Sequence, residues 1–508
     1  MSLATTYSRA ILGVEAVEVR VETHLSNGLP GFAIVGLPET AVKESKERVR
    51  SAILNTGMEF PARRITVNLA PADLPKAGGR YDLAIALSIL VASGQIRDAG
   101  LEQAEILGEL ALDGSVRPVT GALPALVAAR AVGRRVLLPK ANSAELSVIE
   151  YAQASYVANL IDVANHFING TALEKIATKP PAVNCASNEL PIQLAQVRGQ
   201  AFAKRALQIA AAGGHNLLMV GPPGSGKTML ARSLIGLLPN LEMDEALEVA
   251  TINSITTSPI GNTQWQLRPF RTPHHSATAV ALVGGGQRAH PGEISLAHRG
   301  VLFLDELTEF KPGVLEALRE PLEAGEITIS RANYRVRYPA NFQLLAAMNP
   351  CPCGHAGDKQ QACSCSPERL RSYLGRLSGP LLDRLDLLIE VPALSPAELL
   401  KPSPDTTDWQ GIKSRVAACR SWQVHRAGKL NCDLGVEELE RDCQLPRKLR
   451  SQLAHTMDKL KMSARTALRV IKVARTIADY EQRKAISMAD LMEAVSYRRC
   501  QLLRSLVR

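Results

Sequence analysis

The period of the apolar positions changes along the chain and divides it into three sections. Through residues 1–175, short runs such as 65–69 and 135–138 read as strands, and the apolar stretch 83–90 reads as a helix. Glycines at 28, 31, 78 and 79 punctuate these elements as turns. Residues 176–190 carry two prolines among small residues with no period, which predicts a linker. Within 191–395, three apolar strands are expected at 216–220, 301–304 and 344–348, each ending in polar or glycine-rich sequence. From 396 to 508 the pattern is helical. Leu468, Ile471, Ala474 and Ala478 recur at helical spacing with Arg465, Arg469, Lys472 and Arg475 between them, predicting a basic helical lid. The chain therefore reads as an α/β multidomain protein.

Length agrees, since 508 residues exceed what one hydrophobic core serves. The net charge of +10 permits a polyanionic partner without identifying one. No run of about 20 apolar residues suggests a membrane span, and the polar N-terminus lacks the basic and apolar regions of a signal peptide. Scattered cysteines do not form the even framework of a secreted scaffold. A cytoplasmic protein without membrane contact is expected.

The first expected strand of the middle section leads straight into Gly221, Pro222, Pro223, Gly224, Ser225, Gly226, Lys227 and Thr228, and a helical run follows. Strand, glycine loop and helix in this order form a Walker A site for ATP. The glycines let backbone N–H groups turn around the β-phosphate at the positive end of a helix dipole. Lys227 supplies a point charge to the β/γ oxygens, and the Thr228 hydroxyl can ligate Mg²⁺. The second strand ends in Asp305 and Glu306, suited to hold Mg²⁺ through water and to act as general base. The third ends in Asn349, where an amide can position the attacking water. Arg384 could reach the γ-phosphate held by a neighbouring subunit; an intrachain ion pair with Asp383 or Asp386 is its structural alternative. A finger working between subunits would require a ring.

Cys351, Cys353, Cys363 and Cys365 form a compact set suited to structural Zn²⁺, with His355 as a spare ligand. Unliganded thiols are the alternative. Residues 325–338 predict a β-hairpin with Arg331 at its tip and Arg335 and Arg337 on one face of the returning strand, a pattern that can grip nucleic-acid phosphates.

Longer matches go beyond a generic ATPase. Phe-Arg-Thr-Pro-His-His-Ser at 270–276, Leu-Val-Gly-Gly-Gly at 282–286, Pro-Gly-Glu-Ile-Ser-Leu-Ala-His at 291–298 and Met-Asn-Pro-Cys-Pro-Cys-Gly at 348–354 resemble the ComM/YifB family over nearly the whole chain. The resemblance implies a magnesium chelatase-like AAA+ ATPase. Its domains would be a P-loop core at 191–395, with a helix-2 insert and a pre-sensor-1 hairpin, and a lid at 396–508. It also implies a homo-hexamer acting on DNA, single-stranded or branched, as a branch-migration helicase in natural transformation, with recombination proteins as possible partners. In the same terms Asn349 resembles sensor 1, Arg384 the arginine finger, Arg465 the sensor 2 arginine, and Val197 with Gln200 the segment bordering adenine. Residues 63–146 are similar to the Lon protease domain (ribosomal S5 domain 2-like), within a Lon-like domain at 1–175. Aligned on shared motifs, the Lon Ser–Lys dyad falls on Arg80 and Pro124, so peptidase activity is not expected.

Two other motors share this ATPase class. A chelatase motor would drive metal insertion into a tetrapyrrole, but no porphyrin site or adhesion domain is recognisable. A protein-remodelling chaperone would carry an aromatic pore loop, and none is evident.

Overall fold

A computed structural model describes residues 2–98, 100–176, 197–256, 265–286, 289–330, 335–357, 361–394 and 408–498. The chain forms two compact units. The first comprises 1–184, 243–266 and 330–338, and the second 185–242, 267–329 and 339–508. Most of the expected linker and the hairpin tip with Arg331 lie outside the described residues.

An eight-stranded mixed sheet forms the first unit. Its order is Glu174–Lys175, Ala154–Val157, Arg135–Pro139, Ala104–Ile106, Leu3–Leu12, Glu15–Ser26, Arg64–Ala70 and Gly31–Val35. The helix Asp82–Ala92 is apolar on nearly every side and correspondingly buried along its whole length. Leu83, Ile85, Leu87, Ile89 and Leu90 each contribute about 1.5–3 kcal/mol of burial. Its one carboxylate, Asp82, accepts from Ser45 and from Arg48 Nε, the latter at 2.6 Å. A second buried charge is matched where Arg9 donates to both oxygens of Glu105.

Two segments distant in sequence complete this unit. The helix Met243–Ser254 docks beside Ala122–Val132, where the Gly121 N–H donates to Ser254 O at 2.7 Å. Residues 335–338 pass close to the turn at Gly13, which has φ +65°, and a Cβ there would overlap the Val336 side chain. Arg80 donates to Thr120 O at 2.9 Å, and Pro124 is buried in the helix Ala122–Val132.

The second unit is built on a five-stranded parallel sheet, ordered Phe270–Arg271, Val301–Leu304, Gln343–Met348, Leu217–Val220 and Leu387–Glu390. Its three central strands are buried along their whole length, as continuous apolar runs in a covered parallel sheet should be. Helices Trp409–Ala427, Val436–Asp442, Arg447–Leu460, Ala464–Tyr480 and Met488–Ser496 follow and share its hydrophobic core. Three of the lid's cations turn inward. Arg475 is buried against Asp479, Arg469 donates to Asp386 at 2.5 Å, and the Lys472 ammonium donates to Cys432 O. These cations neutralise interior carboxylates and cap a carbonyl. No helix among the described residues is long and apolar enough to cross a membrane.

Candidate ATPase site

The central strand Leu217–Val220 delivers the phosphate loop to the C-terminal edge of the sheet, and the helix Lys227–Leu237 starts where the loop ends. Gly221 is required by close approach, because a Cβ there would overlap Val391 O. Gly224 and Gly226 adopt φ of +75° and +88°, values that let successive N–H groups face one concavity.

Lys227 is buried, and its ammonium donates to Gly221 O at 2.8 Å, Pro222 O at 2.9 Å and Asn349 Oδ1 at 3.2 Å. Burial lowers its pKa, against the pull of Asp305 and Glu306. The loop lysine and the amide ending the neighbouring strand thus already touch. Thr228 Oγ1 donates to Asp305 Oδ2 at 2.7 Å, which brings the two candidate Mg²⁺ ligands together at one edge of the loop. A hydroxyl and a carboxylate oxygen at this edge suit a hard divalent ion.

Glu306 follows directly, with its backbone in the left-handed region at φ +52° and ψ +48°. For a residue with a Cβ this costs about 1–2 kcal/mol, and it turns the side chain out of the strand direction. Its carboxylate meets His275 Nδ1 at 3.1 Å.

Val197 is buried, and Gln200, itself at φ +53°, donates from its amide to Pro392 O at 2.7 Å. The segment 197–200 therefore lies against the chain leaving the strand Leu387–Glu390.

Arg384 and Arg465 converge away from the loop, on a single carboxylate. Glu323 pairs with Arg384 and lies 3.6 Å from Arg465, and Arg384 also donates to Pro380 O at 2.7 Å. Arg384 above all, with help from Arg465 and Arg319, holds the Glu323 carboxyl below its ordinary range. The intrachain partner is thus neither Asp383 nor Asp386. Asp386 is committed elsewhere: against the desolvation of full burial, His215 and Arg469 keep it well below the usual carboxylate range.

The four cysteine Sγ atoms lie within 4.8 Å of one another. Three of the separations are 3.3, 3.6 and 3.7 Å, near the ~3.8 Å that Zn–S bonds of about 2.3 Å impose in a tetrahedron. A backbone N–H from His355, more than any other group, pulls the Cys353 thiol down to about 5, while burial pushes Cys351 up to about 12. The donor set fits Zn²⁺. The turn also abuts the ATP site. A Cβ at Gly354 would stand 2.6 Å from Pro223 Cδ, and Tyr373 donates its hydroxyl proton to Asn349 O at 3.2 Å.

Comparison with known proteins places this geometry in a family. Residues 193–399 match the family described as "Magnesium chelatase, subunit ChlI", residues 21–142 "Subunit ChlI of Mg-chelatase", and residues 407–498 "Magnesium chelatase, subunit ChlI C-terminal". The competence protein ComM of Haemophilus influenzae is 50% identical over 501 residues, covering 98% of both chains. The chain belongs to the ComM/YifB family. YifB of Salmonella typhimurium is 49% identical over 499 residues, or 98% of this chain and 97% of that one. More distant is the magnesium-chelatase 38 kDa subunit of Rhodobacter capsulatus, 26% identical over 242 residues, or 44% of this chain and 62% of that one. Membership in the ComM/YifB family makes the protein a magnesium chelatase-like AAA+ ATPase that uses ATP and Mg²⁺.

Sequence reasoning did not assign His275 or Glu323. His275 stood inside a quoted motif, but its contact with Glu306 joins segments far apart in sequence. Glu323 offered no local signal, because its arginine partners arrive from distant parts of the chain.

Proposed function

We propose that the protein is an ATP-driven homo-hexameric ring that translocates on DNA and catalyses branch migration in homologous recombination during natural transformation. The observation that carries this reading is the likeness to ComM over 98% of both chains. It is supported by the exposed Arg335 and Arg337 on a strand whose Val336 and Tyr338 face inward. The strands Glu326–Ser330 and Arg335–Pro339 form a two-stranded sheet, closed at its base where the Ala340 N–H donates to Gly325 O at 2.7 Å. A chelatase motor is the second reading, favoured by the family matches, but the chelatase subunit's likeness spans only 44% of this chain.

In this mechanism Lys227 and the loop N–H groups bind the β- and γ-phosphates, with Val197 and Gln200 bordering the base. Thr228 and Asp305 would hold Mg²⁺, which would supply charge to offset that developing on the phosphate oxygens. Glu306 takes a proton from the attacking water while Asn349 orients that water. Arg384, from a neighbouring subunit, neutralises charge on the transferring phosphoryl group, and Arg465 serves as the lid's sensor 2 arginine. The N-terminal unit is a Lon-like fold without peptidase chemistry, since Arg80 is no nucleophile and Pro124 no base.

Cys351, Cys353, Cys363 and Cys365 would hold a structural zinc, which would fix the turn that follows Asn349 and packs Gly354 against Pro223. Metal analysis of protein purified under reducing, chelator-free conditions should find about one zinc per chain. Fully active protein with no zinc would contradict the assignment.

The DNA grip is assigned to Arg331, Arg335 and Arg337. Changing all three to Ala should preserve assembly and basal ATPase, abolish most DNA stimulation, and flatten the salt dependence of DNA binding because fewer counterions are released. Unchanged stimulation and an unchanged salt slope would remove the hairpin from that role.

A further inference from the structure

The strands Val301–Leu304 and Gln343–Met348 lie side by side and parallel, and Glu306 and Asn349 follow their ends. Pairing between these strands stops with Leu304 opposite Ala346, and pairing to the phosphate-loop strand stops with Met348 opposite Val220. Past those points the ladder no longer sets where Asn349 stands, and its carbonyl needs a donor from elsewhere. We infer that Tyr373 is a positioning residue for the Asn349 amide. The inference deepens the ATPase reading and rests on Asn349 being the group that orients the attacking water.

One short segment makes the hold. The helix Pro367–Leu374 starts at Ser366, whose side chain accepts from the Arg369 N–H, with proline in its first turn. Its last turn buries Tyr373, and the phenol donates to Asn349 O at 3.2 Å. Two residues past the helix, Arg376 Nη1 donates to Thr308 O at 2.9 Å and lies 3.3 Å from the Glu309 carboxylate. Thr308 belongs to the 3₁₀ turn Leu307–Glu309, which is closed by the Glu309 N–H donating to Glu306 O at 2.7 Å. Tyr373 thus takes the end of one strand, while Arg376 takes the turn that follows the other.

A bond to a backbone carbonyl directs a side chain here because Asn349 has little freedom of its own. Pro350 follows it and confines it to extended conformations. Fixing the carbonyl then fixes the peptide plane, and with it the direction in which the amide leaves the chain. The amide oxygen also accepts from Lys227 at 3.2 Å. Lys227 is assigned to the phosphates, however, and is drawn toward them when ATP binds. Tyr373 bonds to the backbone alone and leaves the amide N–H groups to the water. It touches neither phosphate nor water, and its effect is confined to where the amide points.

The experiment compares Tyr373→Phe, Asn349→Ala and the double variant in the full chain, measuring kcat, KM for ATP and nucleotide affinity. Phe keeps the ring in its packing and removes only the hydroxyl. Tyr373→Phe should lower kcat about 10-fold with KM and ATP affinity unchanged. In the Asn349→Ala background the same substitution should cost nothing further, because no amide remains to be directed. A wild-type kcat in Tyr373→Phe would overturn the inference. So would an equal fold-loss in both backgrounds, or an ATP affinity that fell in step with kcat, since either would mark the hydroxyl as a support of the fold alone. If Asn349→Ala turned over at the wild-type rate, the water-orienting assignment would fail first and the inference with it.

Discussion

Glu306→Gln should bind ATP with wild-type affinity and hydrolyse it about 10²- to 10⁴-fold more slowly. The amide matches the carboxylate in shape and cannot take a proton from water. The groups assigned to bind the nucleotide are elsewhere: Lys227 donates to the loop carbonyls and Asn349, and Thr228 donates to Asp305. None of these contacts uses the Glu306 side chain. Binding of a fluorescent nucleotide and release of phosphate, measured on the same preparation, separate the two properties. Hydrolysis at the wild-type rate would remove Glu306 from the role of base and leave Asp305 to be tested in its place.

Arg384→Ala should cost about 10³-fold or more in turnover while leaving ATP affinity intact. The side chain is buried, yet its carboxylate partner Glu323 is half exposed and can be solvated once the guanidinium is gone. The loss is therefore expected in catalysis more than in folding. Within its own chain Arg384 pairs with Glu323, and its proposed target is the next subunit's nucleotide. Mixing variant and wild-type chains tests this directly. Activity should fall more steeply than the variant fraction, since one defective arginine silences a neighbour's site. A strictly proportional fall would mean that each chain hydrolyses alone.

The ATP site was legible because its chemistry is local in sequence. A buried strand, a glycine loop and a helix start within about twenty residues announce where Lys227 and Thr228 sit. Apolar strands ending in Asp305 and Asn349 reach the same sheet edge by the geometry of a parallel sheet. Legibility faded where partners are far apart in sequence. Arg384 has acidic neighbours at 383 and 386, but Asp386 is buried between His215 and Arg469, so the finger candidate pairs with Glu323 instead. The inward-turned lid cations are a related case. Helical spacing placed Arg475 beside the apolar stripe, and it enters the core because Asp479, one turn on, supplies its counter-charge. Nor could local pattern reveal that residues 243–266 and 330–338 cluster with the N-terminal sheet, since each is a short excursion from the ATPase core.

ATP hydrolysis by this chain is proposed to be coupled to DNA. It is tested most directly by measuring the wild-type ATPase rate without DNA and with single-stranded, duplex and branched DNA at one salt concentration, following strand displacement on the branched substrate in parallel. DNA should raise the rate several-fold, and displacement should require hydrolysable ATP. An ATPase indifferent to all three DNAs, with no strand displaced, would contradict it.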